Sequence, residues 1–140
     1  MSQRVLDWIG QRLSAGLRVA SATVLSAKGS VPGKPGAKLA LTHIDDRYGT
    51  IGGAGLEMKV IERLVELLTS EVSGGEVITY GLNKGAKGYE VTALDSLCGG
   101  QVTLSLEVVE PMPHLLLMGG GHVAVAIADV CTNMGWDHSV

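Results

Sequence analysis

The sequence predicts an α/β chain: a mixed α+β domain with a central sheet and flanking helices, followed by a separate βα unit. Three observations predict it. Between residues 56 and 69, Leu56, Val60, Ile61, Leu64, Leu67 and Leu68 recur at 3.6 spacing, the mark of an amphipathic helix. Between 101 and 109 the chain alternates strictly. Val102, Leu104, Leu106 and Val108 fall on one side, and Gln101, Thr103, Ser105 and Glu107 on the other, as in a half-buried strand. Finally, an apolar run at 115–118 enters Gly119-Gly120-Gly121-His122-Val123-Ala124 and then a helical pattern, the strand–turn–helix opening of a Rossmann-like domain. Glu110-Pro111-Met112-Pro113 is the only linker-like tetrapeptide, so the boundary divides residues 1–110 from 111–140.

The remaining elements follow in order. Residues 3–16 read as a helix with Val5, Leu6, Ile9 and Leu13 as its stripe, Ser2 as a possible cap and Gly16 at the C′ position. A strand at 18–27 is rich in Val, Thr and small residues. A Pro/Gly loop follows, then a strand at 37–42, a turn at Asp45-Asp46 and a short strand at 48–51. After the helix come Ser73-Gly74-Gly75 and a strand at 76–80. Residues 81–96 read either as a long loop with Lys84 and Lys87 or as a loop with a short strand near 89–92. The last helix covers 122–134, Gly135 ends it, and a strand starts near His138.

Composition narrows the function classes. Apolar residues make up 46% of 140, enough for a core, and with no Phe that core is Leu, Val, Ile and Ala. Glycine stands at 20, about twice the usual ~7%, which implies tight turns and close backbone approaches. A net charge of −3 without a like-charge block argues against a nucleic-acid or anionic-membrane partner. Cys98 and Cys131 make no disulfide framework, and no apolar run reaches 18 residues, so a cytoplasmic protein with reduced thiols is expected. His43, His114, His122 and His138 have no metal-ligand spacing, so no metal site is expected.

Four stretches could carry chemistry. The first is Gly49-Thr50-Ile51-Gly52-Gly53-Ala54-Gly55-Leu56-Glu57. Bare backbone N–H groups in a glycine turn opening a helix suit an anion, and Gly52, Gly53 and Gly55 are the candidate donors; the alternative is a sharp packing corner. Glu57 orients a ligand or is a first-turn acid. The second stretch is the loop Lys28-Gly29-Ser30-Val31-Pro32-Gly33-Lys34-Pro35-Gly36, with Lys34 and Lys38 as phosphate cations or solvated side chains. The third is Cys98-Gly99-Gly100, where lysines upstream and backbone N–H groups would make the thiol a nucleophile or soft ligand; the alternative is a small buried residue. Cys131, mid-helix among Ala, Val and Ile, reads as core. The fourth is the fingerprint Gly119, Gly121 and Ala124. The ribose-binding carboxylate expected ~20 residues beyond the first glycine is missing, since Ser139 and Val140 stand there.

Taken in this order, the four stretches resemble the XdhC/CoxI family, accessory proteins of molybdenum hydroxylases such as xanthine dehydrogenase and carbon monoxide dehydrogenase. The first three cover the family's N-terminal domain, and the fourth only the opening of its Rossmann domain. The resemblance implies a non-catalytic protein that binds the molybdenum cofactor, assists its sulfuration with a cysteine desulfurase and hands it to the hydroxylase apo-enzyme. It implies that Ser30, Lys34, Lys38, Gly52, Gly53, Gly55, Glu57, Gly99 and Gly100 belong to the cofactor site, with Cys98 as the thiol near metal or sulfur. Two departures stand out: Gly52-Gly53-Ala54 replaces a Gly-Gly-Gly run, and Gly33-Lys34 stands where many members carry Arg, a bidentate fork rather than a point charge. A homo-oligomer is expected from the apolar last helix. The competing expectations are an NAD(P)-dependent oxidoreductase built on the Gly119 fingerprint and an interaction domain without a small ligand.

Overall fold

A computed structural model describes residues 2–31, 33–70, 73–81, 91–93 and 99–140. In chain order the elements are α1 (Ser2–Ser14), β1 (Val19–Gly29), β2 (Lys38–His43), β3 (Asp46–Gly49), α2 (Ala54–Thr69), β4 (Gly74–Gly81), β5 (Val91–Ala93), β6 (Gly100–Val109), β7 (His114–Leu116), α3 (His122–Met134) and β8 (Asp137–Ser139). The first six strands form one sheet in the order β3-β2-β1-β6-β4-β5, antiparallel except for the β4–β5 pair. Beyond Pro113, β7 and β8 form a separate parallel pair joined through α3. This is a mixed α/β fold.

The α2 stripe explains the main core. Leu56, Val60, Ile61 and Leu64 bury against Ala20, Ala22, Val24, Leu39, Leu41, Leu104 and Leu106 of the sheet. Each such aliphatic side chain contributes about 2 kcal/mol when removed from water. Val102, Leu104, Leu106 and Val108 are all buried, as the alternation of β6 demands. On the opposite face Val5 of α1 packs with Val19 and Ala40, flanked by Trp8, Ile9, Leu13 and Tyr48.

The end of α1 closes as its glycine predicts. Gly16 has φ +80°, its N–H donates to Leu13 O at 2.9 Å, and the Leu17 N–H donates to Arg12 O at 3.1 Å. Its start differs from expectation. Ser2 is the first helical residue, and its hydroxyl donates to the Gly36 carbonyl at 3.2 Å, pinning α1 to the Pro/Gly loop instead of capping the helix. The third strand also begins earlier than expected, at Asp46, which belongs to β3 and pairs with His43. Similarly, β7 shortens to three residues because its partner β8 offers only three. The short strand expected near 89–92 corresponds to β5, while Lys84 and Lys87 lie outside the described residues.

A polar clamp holds α1 on the sheet edge. The Arg12 guanidinium donates to both Asp46 oxygens, at 2.9 and 2.8 Å, and lies 4.6 Å over the Trp8 ring, which stacks on Tyr48. Hydrogen bonds from Arg12, then from Thr42, lower the Asp46 pKa from 3.8 to about 2. The folded carboxylate therefore titrates below the unfolded one. Its contribution is complete above the ordinary carboxylate range near ~4 and is lost as pH falls towards the folded value. The expected result is a steeper fall of Tm between pH 4 and pH 2 for wild type than for Asp46→Asn; parallel melting profiles would exclude this linkage.

Candidate functional site

Three of the four glycine-rich stretches meet, and the Pro/Gly loop is the hub. The loop between β1 and β2 folds back over the β-bulge at Val24–Ser26: the Gly36 N–H donates to Val24 O at 2.8 Å and the Val24 N–H to Ala37 O at 2.9 Å. Gly33 is buried so tightly on the Ile51 carbonyl oxygen that a Cβ has no room. At the other end Gly29 pairs with Gly100, where a Cβ would stand 2.5 Å from Lys28 O and 2.8 Å from Val31 Cγ1. Glycine is required at 33 and 100 for this close approach of backbones.

Between this loop and the glycine turn lies a cleft of about 370 Å3, lined by Ser2, Gly33, Lys34, Pro35, Gly36, Ala37, Lys38, Thr50, Ile51 and Gly52. Lys34 is exposed. Lys38 is half-buried and its ammonium donates to Thr23 Oγ1 at 3.0 Å, across the β1–β2 pair. Among the described residues, neither lysine has a carboxylate within ion-pair distance, whereas Arg12, Arg18, Lys59 and Arg63 each do. The cleft is therefore lined by two lysines without a carboxylate partner among the described residues, which suits an anion.

The glycine turn has a positive φ at two consecutive positions, Gly52 at +84° and Gly53 at +69°; Gly53 is the N-cap of α2. The first helical bond runs from the Glu57 N–H to Gly53 O at 2.9 Å, so the N–H groups of residues 54–56 have no partner within the helix. Gly53, Gly55 and Glu57 do not line the cleft. Glu57 turns back instead: its Oε2 accepts from the Thr50 hydroxyl at 2.6 Å and the Ile51 N–H at 3.1 Å. Thr50, which sequence reasoning passed over, links the two, since its Oγ1 also accepts the Gly52 N–H at 3.1 Å. The only sequence signal for this was a hydroxyl seven residues before a first-turn acid.

Gly55 has open space where a Cβ would stand. In a ligand-free turn Gly55→Ala should therefore raise stability, by up to about 1 kcal/mol, because alanine loses less backbone entropy in a helix. Chemical denaturation checks this. A loss of stability would show that position 55 needs glycine for the turn itself.

The other expected site residues lie elsewhere. Ser30 is exposed at the start of the loop, outside the cleft. Gly99, at φ +60°, and Gly100 sit at the start of β6 beside Lys28 and Gly29. Cys98 lies outside the described residues. Cys131 is buried in α3 and only 2% exposed, in keeping with a core role. Gly119, Gly121 and Ala124 line a second cleft, of about 430 Å3, with Leu117, Met118, His122, Val123 and Ile127. Gly121 is the N-cap of α3, and the end of β8 carries no carboxylate. Among the described residues no group of three or more His, Cys, Asp or Glu side chains could hold a metal ion.

Known proteins are similar to this chain in sequence and fold. YqeB, an uncharacterized protein of Escherichia coli strain K12, is 31% identical over 124 residues, which cover 86% of this chain and 21% of that protein. The crystal structure of a xanthine dehydrogenase from Bacillus halodurans superposes with a TM-score of 0.56 at 18% identity, covering 78% of this chain and 30% of that one, a likeness of fold. The chain thus spans about a fifth of the curated relative it matches. The profile of the XdhC and CoxI family matches residues 12–81, which include α1's end, the Pro/Gly loop, the glycine turn and α2. The chain belongs to the XdhC and CoxI family.

Proposed function

We propose that this chain is the cofactor-handling part of an accessory protein for a molybdenum hydroxylase of the xanthine dehydrogenase or carbon monoxide dehydrogenase type. It is non-catalytic, and the molybdenum cofactor is its cargo. The supporting observation is the single cleft that gathers Lys34, Lys38 and Gly52, with neither lysine neutralised by a carboxylate among the described residues. Its volume falls in the range of small-molecule sites. In this reading the cofactor's phosphate meets the two lysine ammonium groups beside the glycine turn, and Cys98 serves the metal or its sulfur. The partners are the apo-hydroxylase, a cysteine desulfurase and a second copy of the chain, in the cytoplasm. Residues 111–140 are then the opening of a Rossmann-like domain.

The test is titration of the protein with isolated molybdenum cofactor, followed by thermal shift. Stabilisation that grows with cofactor concentration supports the reading. The second reading, an NAD(P)-dependent oxidoreductase, draws on the Gly119–Ala124 cleft and the open N-terminus of α3. Stabilisation by NAD(P) but not by molybdenum cofactor would favour it. Co-purification with a hydroxylase and no response to either ligand would leave a pure interaction domain.

A further inference from the structure

We propose that Glu57 is a positioning residue: its carboxylate is the built-in anion of the glycine turn and sets where an external anion can bind. The side chain projects backwards from the fourth residue of α2 and places Oε2 on two donors that precede the helix, the Thr50 hydroxyl and the Ile51 N–H. Ile51 is fully buried and its carbonyl is pressed against Gly33, so this peptide joins the turn to the Pro/Gly loop. The Thr50 oxygen in turn takes the N–H of left-handed Gly52. One carboxylate thus holds three consecutive residues, Thr50, Ile51 and Gly52, and all three line the cleft.

This arrangement reverses the simplest view of the turn. Two of its donors are already engaged by an internal negative charge, and a second anion placed beside them would be repelled. An anionic ligand is therefore confined to the Lys34 and Lys38 side of the cleft. That consequence rests on the cofactor-site reading; the role of Glu57 in shaping the turn does not.

The experiment is a rescue. Glu57→Ala leaves a buried N–H and a hydroxyl without their acceptor, which should lower Tm by roughly 5 °C. Sodium acetate should restore part of that loss, and should return the Gly52 and Gly53 amide resonances towards their wild-type positions. Sodium chloride at equal ionic strength should do neither, and wild type should not respond to acetate. A merely first-turn acid predicts a small loss that is indifferent to acetate, and that outcome overturns the proposal. Should Glu57→Ala fail to fold, a double-mutant cycle of Glu57→Gln with Thr50→Val decides: coupled losses support the contact and additive losses overturn it. Failure of wild type to bind molybdenum cofactor would remove the ligand reading and leave the acetate result standing.

Discussion

Gly49→Ala should destabilise the protein by about 3 kcal/mol and lower its melting temperature by roughly 10 °C. Two costs combine. Gly49 has φ +88°, where an L-residue is strained by about 1–2 kcal/mol. Its added Cβ would also collide with the Lys38 carbonyl oxygen and stand 2.8 Å from Val5 Cγ2. The first obstacle is backbone of the neighbouring strand, held in register by the Leu39–Gly49 pair, so it cannot rotate away as a side chain could. Overpacking of this kind costs about 1–3 kcal/mol. Gly10→Ala is the matching control: Gly10 lies inside α1 with nothing within 4 Å of a Cβ, so the substitution should stabilise slightly. A Gly49→Ala protein that melts with wild type would show that the β2–β3 edge yields easily. Because Gly49 leads straight into Thr50, and the obstructing oxygen belongs to Lys38, any yielding would shift both walls of the cleft.

Glycines of this kind mark the limit of what the sequence alone discloses. The clustering of glycines around residues 29–36 and 49–55 was plain, but the reason for each was not. Gly33, Gly49 and Gly100 are excluded from carrying a Cβ by backbone oxygens 11 to 72 positions away in the chain, on Ile51, Lys38 and Lys28. No local pattern encodes such partners. Gly52 and Gly53 are demanded by a local turn with two consecutive positive φ angles and were the better legible pair. Periodicity performed well where one face is buried: α2 and β6 stand within two residues of their expected limits because their stripes meet the same core. It failed where a side chain finds a distant partner. Ser2 satisfies Gly36 rather than its own helix, and Glu57 reaches Thr50. The bulge in β1 does leave a mark, since the apolar phase passes there from Ala20, Ala22 and Val24 to Leu25 and Ala27.

The charge of the cleft was legible in part. Lys34 and Lys38 stand four residues apart, yet one is in a loop and the other in a strand, so their convergence depends on the loop folding back over Val24. If they hold the phosphate of the molybdenum cofactor, the double substitution Lys34→Ala with Lys38→Ala should weaken its binding about 100-fold. A hydrogen bond to a charged group contributes about 1.5 kcal/mol or more, and each 1.4 kcal/mol is tenfold. The single variants separate the roles. Lys34 is exposed and has no hydrogen-bond partner among the described side chains, so Lys34→Ala should cost affinity, about tenfold, and leave Tm unchanged. Lys38→Ala also removes the bond to Thr23 and should lower both. Isothermal titration at two salt concentrations tests the charge directly, because screening should weaken the wild-type complex more than the double variant. Lys34→Arg should retain binding, as it keeps the charge and adds a planar fork. A double variant that binds the cofactor as tightly as wild type would remove this cleft from the cofactor's path and shift attention to the Gly119 turn.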